Sequence, residues 1–363
     1  MFAPGMRVLS RQTGQVFRCI KLNRKKPDKR QRFIRRFGCE DMEKLSNPSK
    51  TREIIEKYGF DFRKRFGQNF LVDAHVLERI IEAAQITEED LVIEIGPGIG
   101  TLTQYLAEAA AKVVSIEIDR NLIPILEETL AGYDNVTVIN QDVLKTDLNE
   151  IIRAYGRRKE GGSGQSAEVS GRGILCPDPA DTSEETVSLR PVRIVANLPY
   201  YITTPILMGL FEKHIPAKSI TVMVQKEVAD RMQAEAGTKD YGSLSLAVQY
   251  YSRPHVEVEV PPRSFMPRPK VSSSVISLDI YETPPVKVED EELFRNIVRA
   301  AFSQRRKTLV NALGNAALLS FSKEQVAAAL KDLGLPETIR GEVLTLEQFA
   351  ALADRLGQET ERQ

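Results

Sequence analysis

The chain predicts a doubly wound α/β sheet followed by a small all-helical domain. Two observations carry this fold class. Between residues 91 and 225, β-type apolar runs alternate with helix-length stretches, the pattern of parallel strands joined by crossover helices. After Tyr281 only helical periodicity continues, and the pair Pro284-Pro285 marks the change.

Taken in order, a helical pattern spans Thr51–Tyr58, a Gly-containing segment KRFGQNFLVD fills 64–73, and 76–84 is amphipathic. Five β runs follow: LVIEIG (91–96), KVVSIEI (112–118), NVTVIN (135–140), VRIVAN (192–197) and SITVMVQ (219–225). Helical patterns at 101–110 and 120–131 separate the first three. A helical stretch at 243–252 precedes two late β runs, HVEVEV (255–260) and SSVISLDI (273–280), which should complete the sheet with one strand antiparallel. One long helix is expected over 292–313, with others at 322–333 and 345–356. Residues 156–190 are rich in Gly, Ser, Glu and Pro without apolar period, and are expected to be a flexible insertion. The division expected is therefore an extension at 1–48, a sheet domain at 49–281 and a helical domain at 282–363.

Composition excludes several classes. A chain of 363 residues, 42% hydrophobic and 28% charged, can bury a core without disulfides or a structural metal. No run approaches eighteen apolar residues, so a cytoplasmic protein without a membrane span is expected. Cys19, Cys39 and Cys176 lack zinc-ligand spacing, and His75, His214 and His255 are scattered, so no metal site is expected. Net charge is zero, yet residues 1–50 carry 14 Lys or Arg against four acids. The body is correspondingly acidic, and the basic extension reads as disordered or artefactual. A solvated arm, a transit peptide, or residues upstream of a start at Met42 would each account for it.

The sharpest motif is VIEIGPGIGTLT (92–103), a strand running through Gly96, Gly98 and Gly100 into a helix. Its G-x-G-x-G spacing lacks the third glycine position of the pyrophosphate-gripping fingerprint. Glu117, at the tip of the second strand, can accept both hydroxyls of a ribose, and Asp142, after the third, an adenine amino group. Together they describe a nucleoside pocket without a phosphate grip, which suits S-adenosylmethionine better than a nicotinamide dinucleotide. After the fourth strand comes Asn197-Leu198-Pro199-Tyr200-Tyr201, at the edge where open α/β sheets bind ligands. An exocyclic base amine is a poor nucleophile because its lone pair is delocalised. The Asn197 side-chain oxygen and the Leu198 carbonyl can accept its hydrogens and favour a pyramidal nitrogen. Pro199 fixes the turn, and Tyr200 can stack on a flipped base. The loop 261–270 adds Phe265 as a pocket wall, with Arg263, Arg268 and Lys270 toward phosphates. Arg305 and Arg306, on the helical domain, offer a second cationic patch.

These motifs, with SIEID, NQDVLK, VQKEVADRM, YGSLSL and FMPRPKVSSSV, resemble the ribosomal RNA adenine N6-dimethyltransferases, and most closely their bacterial small-subunit (16S) branch, over about residues 50–350. The resemblance implies a Rossmann-like class I methyltransferase fold with a C-terminal helical domain. It implies Asn69 and Leu71 at the methionine end of the cofactor, Gly96 against the cofactor, Glu117 at its ribose, Asp142 at its adenine, and Asn197 and Tyr200 at the target amine. It further implies dimethylation of two adjacent adenosines in the 3′-terminal hairpin loop of 16S rRNA, in a small-subunit precursor; nothing in the sequence demands more than a monomer. Two alternatives are a large-subunit methyltransferase of the macrolide-resistance type, which often carries Ile at the position of Leu198, and, from a different class, a mainly non-catalytic assembly factor. A DNA adenine methyltransferase fits less well, because Leu198 stands where a first proline is usual. The residues before 42 and the insertion at 156–190 depart from the family pattern.

Overall fold

The computed structural model describes residues 44–59, 69–158 and 188–360, together with two strands nearer the start, β1 (Met6–Leu9) and β2 (Val16–Ile20). The other elements, in chain order, are α1 (Pro48–Lys57), β3 (Phe70–Leu71), α2 (Ala74–Ala83), β4 (Leu91–Ile95), α3 (Thr101–Ala109), β5 (Lys112–Glu117), α4 (Ile123–Thr129), β6 (Val136–Asn140), α5 (Leu148–Tyr155), β7 (Val192–Asn197), α6 (Thr203–Glu212), β8 (Ser219–Gln225), α7 (Lys226–Gln233), α8 (Ser243–Tyr251), β9 (Ser252–Val260), β10 (Phe265–Met266) and β11 (Ser273–Ile280). Four helices follow: α9 (Glu291–Ser303), α10 (Leu309–Gly314), α11 (Lys323–Asp332) and α12 (Leu346–Thr360).

The main sheet has the order β1-β2-β6-β5-β4-β7-β8-β11-β9. Strands β6, β5, β4, β7 and β8 are parallel, and β11 runs antiparallel to both β8 and β9. Every residue of β4 is buried, as a central strand covered on both faces requires. The chain moves outward from β4 in one direction through β5 and β6, then returns to its other side with β7. That reversal opens a crevice at the carboxyl ends of β4 and β7.

Two expectations need correction. The helix expected over 292–313 is two helices. The Thr308 side chain caps α10 by accepting from the Asn311 N–H (3.4 Å), and the cationic residues 305–307 lie in the intervening turn. The extension expected to be disordered contributes β1 and β2, and β2 pairs antiparallel with β6 at Cys19–Ile139 and Ile20–Val138. Its β-branched and aromatic residues suit a strand better than the surrounding charge suggests. The remainder of the extension and residues 159–187 of the expected insertion lie outside the described residues. The insertion's two ends meet in a bridge between Arg157 and Leu189, beside Pro191, whose carbonyl accepts from the Leu91 N–H at the start of β4. They leave the fold at the edge of the sheet opposite the crevice.

The helical part does not stand apart from the sheet. One apolar cluster runs from Ile194 and Val222 through Tyr250 and Tyr251 to Phe294, Leu330 and Phe349. Tyr251 stacks on Phe211 of α6 with ring centres 4.9 Å apart, and its hydroxyl donates to Glu291 of α9.

Candidate active site

The crevice at the carboxyl ends of β4, β5 and β7 gathers Asn69, Leu71, Gly96, Glu117, Asp142, Asn197, Leu198, Pro199, Tyr200 and Phe265 into one pocket. Residues up to 196 positions apart in the chain thus become neighbours because the ends of four strands, β4, β5, β6 and β7, and two loops converge there.

At the floor, the β4–α3 turn places Gly96 and Gly98 at positive φ, +71° and +61°. A Cβ on Gly96 would enter open space, so the bare backbone itself forms the pocket surface there. The Gly98 N–H donates to Glu117 Oε2 (3.3 Å), and the Asp119 N–H to Glu117 Oε1 (2.7 Å). Glu117 is buried, and burial pushes its carboxyl up to about 7 against the opposing pull of these N–H donors. Its backbone carbonyl accepts from Gln141 N and Asn140 Nδ2, which locks the tip of β5 to that of β6. Asp142 follows directly, and its side chain accepts from the Leu144 N–H (3.0 Å).

Two further strands make the roof. β10 pairs antiparallel with β3, Phe265 opposite Leu71 and Met266 opposite Phe70. Ser264 reinforces the pairing: its hydroxyl donates to Asp73 Oδ2 (2.7 Å) and its carbonyl accepts from Val72 N (2.9 Å). The loop expected as a pocket wall therefore also holds the Asn69–Val72 segment over the site. Sequence reasoning missed this clamp because two-residue strands carry no periodicity.

The chemical end adjoins the roof. Asn197 Nδ2 donates to the Asn69 backbone carbonyl (3.3 Å). With its nitrogen so engaged, the amide offers its oxygen as an acceptor. The Pro199 carbonyl accepts from the Ile202 N–H (3.1 Å), closing the turn into α6. Tyr200 is half-buried, its hydroxyl 2.9 Å from Ser273 Oγ on β11, and burial pushes its pKa above the ordinary tyrosine value, so the phenol stays protonated. Ser273 was not anticipated, since nothing in SSVISLDI distinguishes it from a packing serine.

The predicted cations lie elsewhere. Arg263, Arg268 and Lys270 are exposed on the loop that carries Phe265 and do not line the pocket. Arg305 and Arg306 belong to the turn between α9 and α10. Arg305 is engaged already: it pairs with Glu342 (2.8 Å) and donates to the Thr238 carbonyl (3.2 Å). Both Arg305 and Arg306 are exposed at the surface.

The described pocket lining holds three carboxylates, Glu94, Glu117 and Asp142, and no Lys, Arg or His. Such a surface does not grip a pyrophosphate and favours a cationic nucleoside, so these residues fit S-adenosylmethionine. Among the described residues no cluster of His, Cys, Asp or Glu is placed to hold a metal ion, and no helix is long and apolar enough to cross a membrane.

Residues 59–356 match the family described as ribosomal RNA adenine dimethylase. This chain belongs to that family. Among its curated relatives, the ribosomal RNA small subunit methyltransferase A of Lachnoclostridium phytofermentans is 55% identical over 311 residues, covering 85% of this chain and 97% of the relative. That of Alkaliphilus metalliredigens is 52% identical, covering 86% and 97%. The fold is also that of a solved dimethyladenosine transferase from Plasmodium falciparum, with a TM-score of 0.60 and 25% identity over 80% of this chain and 98% of that one. The Rossmann-like methyltransferase fold and the dimethylase family are thus as the sequence motifs implied.

Proposed function

We propose that this dimethylase transfers methyl groups from S-adenosylmethionine to N6 of two adjacent adenosines in the 3′-terminal hairpin loop of 16S rRNA, within a small-subunit precursor. The single observation that supports the reading is the Asn197–Asn69 bond, which engages the amide nitrogen and leaves the amide oxygen as an acceptor in a pocket also lined by Tyr200. S-adenosylmethionine, when bound, supplies an electrophilic methyl group on a sulfonium.

The protein's part is orientation. Gly96, Glu117 and Asp142 hold the nucleoside, and Asn69 and Leu71 border its methionine end. Asn197 Oδ1 and the Leu198 carbonyl accept the two N6 hydrogens, which aims the nitrogen lone pair at the methyl carbon. The Tyr200 ring, fixed by Ser273, stacks on the flipped adenine, and Phe265 closes the opposite wall. The proton leaves the methylated nitrogen to water, so no strong base is required. Arg263, Arg268 and Lys270 meet phosphates at the rim. The protein acts as a monomer in the cytoplasm.

The test is a methyl-transfer assay with labelled S-adenosylmethionine on unmethylated small subunits, unmethylated large subunits and duplex DNA, with product nucleosides resolved. Dimethyladenosine from small subunits alone is the expected result. Label in large subunits would place the protein in the resistance-type branch, and cofactor binding without transfer would favour an assembly role.

A further inference from the structure

The pocket mouth carries a second aromatic ring that the fold leaves idle. Tyr201 follows Tyr200 in the turn before α6 and lines the same pocket. It is 61% exposed, the largest fraction among the exposed large apolar side chains of the described residues. Its hydroxyl makes no hydrogen bond, and its ring no aromatic or cationic contact, with any described residue. Tyr200 differs on each count: it is half-buried, and Ser273 holds its hydroxyl at 2.9 Å. Consecutive residues of one turn therefore place one ring in the pocket wall and the other at the rim.

A lone exposed apolar residue is ordinary on a protein surface, but the position of this one sets it apart. A base reaches the pocket only by leaving its stack, and the nucleotide beside it then loses a stacking partner. The face so bared is flat, apolar and in water, as the Tyr201 ring is. Stacking the two withdraws both from water and asks for no particular base, because every base has a π face. Burying the ring against the protein instead would remove it from the one place where such a face passes.

We infer that Tyr201 is a second stacking platform, which receives the nucleotide adjacent to the adenosine that Tyr200 holds. This deepens the function proposed above and rests on it. The motif Asn197-Leu198-Pro199-Tyr200-Tyr201 thus carries two aromatic positions with separate tasks, an inner ring for the base that reacts and an outer ring for its neighbour in the strand. The outer ring contributes to capture of the RNA and leaves the geometry at the reacting nitrogen to Asn197 and Tyr200.

The experiment is steady-state methyl transfer by the full chain on unmethylated small subunits, with Tyr201→Ala and Tyr201→Phe beside the unaltered protein. Tyr201→Ala is expected to raise KM for the subunit about ten-fold, the loss of roughly one stacked base, while kcat stays within about two-fold. Tyr201→Phe keeps the ring and drops the hydroxyl, and its KM should stay within about two-fold of the unaltered value. Calorimetry with S-adenosylhomocysteine should give the same cofactor affinity for all three proteins. An unchanged KM in Tyr201→Ala would overturn the inference. So would a Tyr201→Phe protein as impaired as Tyr201→Ala, which would make the hydroxyl the contact, or a parallel loss of cofactor affinity, which would make the residue structural. If the unaltered protein formed no dimethyladenosine on small subunits, the proposed function itself would fall and the inference with it.

Discussion

Glu94 and Glu117 are held in nearly identical states. Burial pushes each carboxyl from 4.5 up to about 7. Between those values the native chain keeps protons that the unfolded chain has released. Stability from these groups is therefore full below about pH 4.5, falls as pH rises, and is least above about 7. Glu94→Gln should raise the thermal midpoint by on the order of several degrees at alkaline pH and leave it unchanged in acid, which calorimetric scans at both extremes will read. Cofactor affinity has the opposite slope, because ionised carboxylates accept better. It should rise between about pH 6 and pH 8, and Glu117→Gln should both weaken binding and shrink that rise. Asn197 separates binding from chemistry. Asn197→Ala should cut turnover by about 10²-fold or more with little change in cofactor affinity, measured by single-turnover kinetics beside calorimetry. Loss of cofactor binding instead would overturn that division of roles.

At the scale of elements, the β3–β10 clamp links cofactor and substrate walls. Ser264 holds Asp73 and Val72, Phe265 faces Leu71 across the pair, and Asn69 beside them accepts from Asn197. Ser264→Ala should destabilise by about 1–2 kcal/mol in denaturant titrations and weaken the cofactor, although Ser264 itself is outside the pocket lining. The strand ends were legible beforehand, because a Gly-rich turn, an acid after the second strand and an Asn-Pro turn after the fourth each announce a position on the sheet. The clamp was not, since pairing of residues near 70 with residues near 265 depends on where β9 ends in space. The break at 304–308 escaped for a related reason: helical periodicity continues across it, and only the Thr308 cap stops it.

Taken whole, the chain is more continuous than its sequence suggests. After β11 the described elements are helical, yet the apolar cluster crosses from the sheet into those helices. Phe349→Ala, in the last helix, should cost about 3–5 kcal/mol and lower the midpoint of a single transition rather than melt the helical part alone. Two resolved calorimetric transitions would contradict that coupling. Arg305, exposed at the surface and tied to Glu342 and the Thr238 carbonyl, spans the same junction.

The sequence by itself determined the succession of the parallel strands and their helices, the family, and the residues from Asn69 to Phe265 named as site candidates that line the crevice. Each of these depends on local pattern or on the rule that strand carboxyl ends face ligands. Tertiary structure alone decided which ring of the pocket stays exposed, which cations are already neutralised and which loops clamp the site. Those outcomes depend on distances between residues remote in the chain, and no local periodicity encodes a distance.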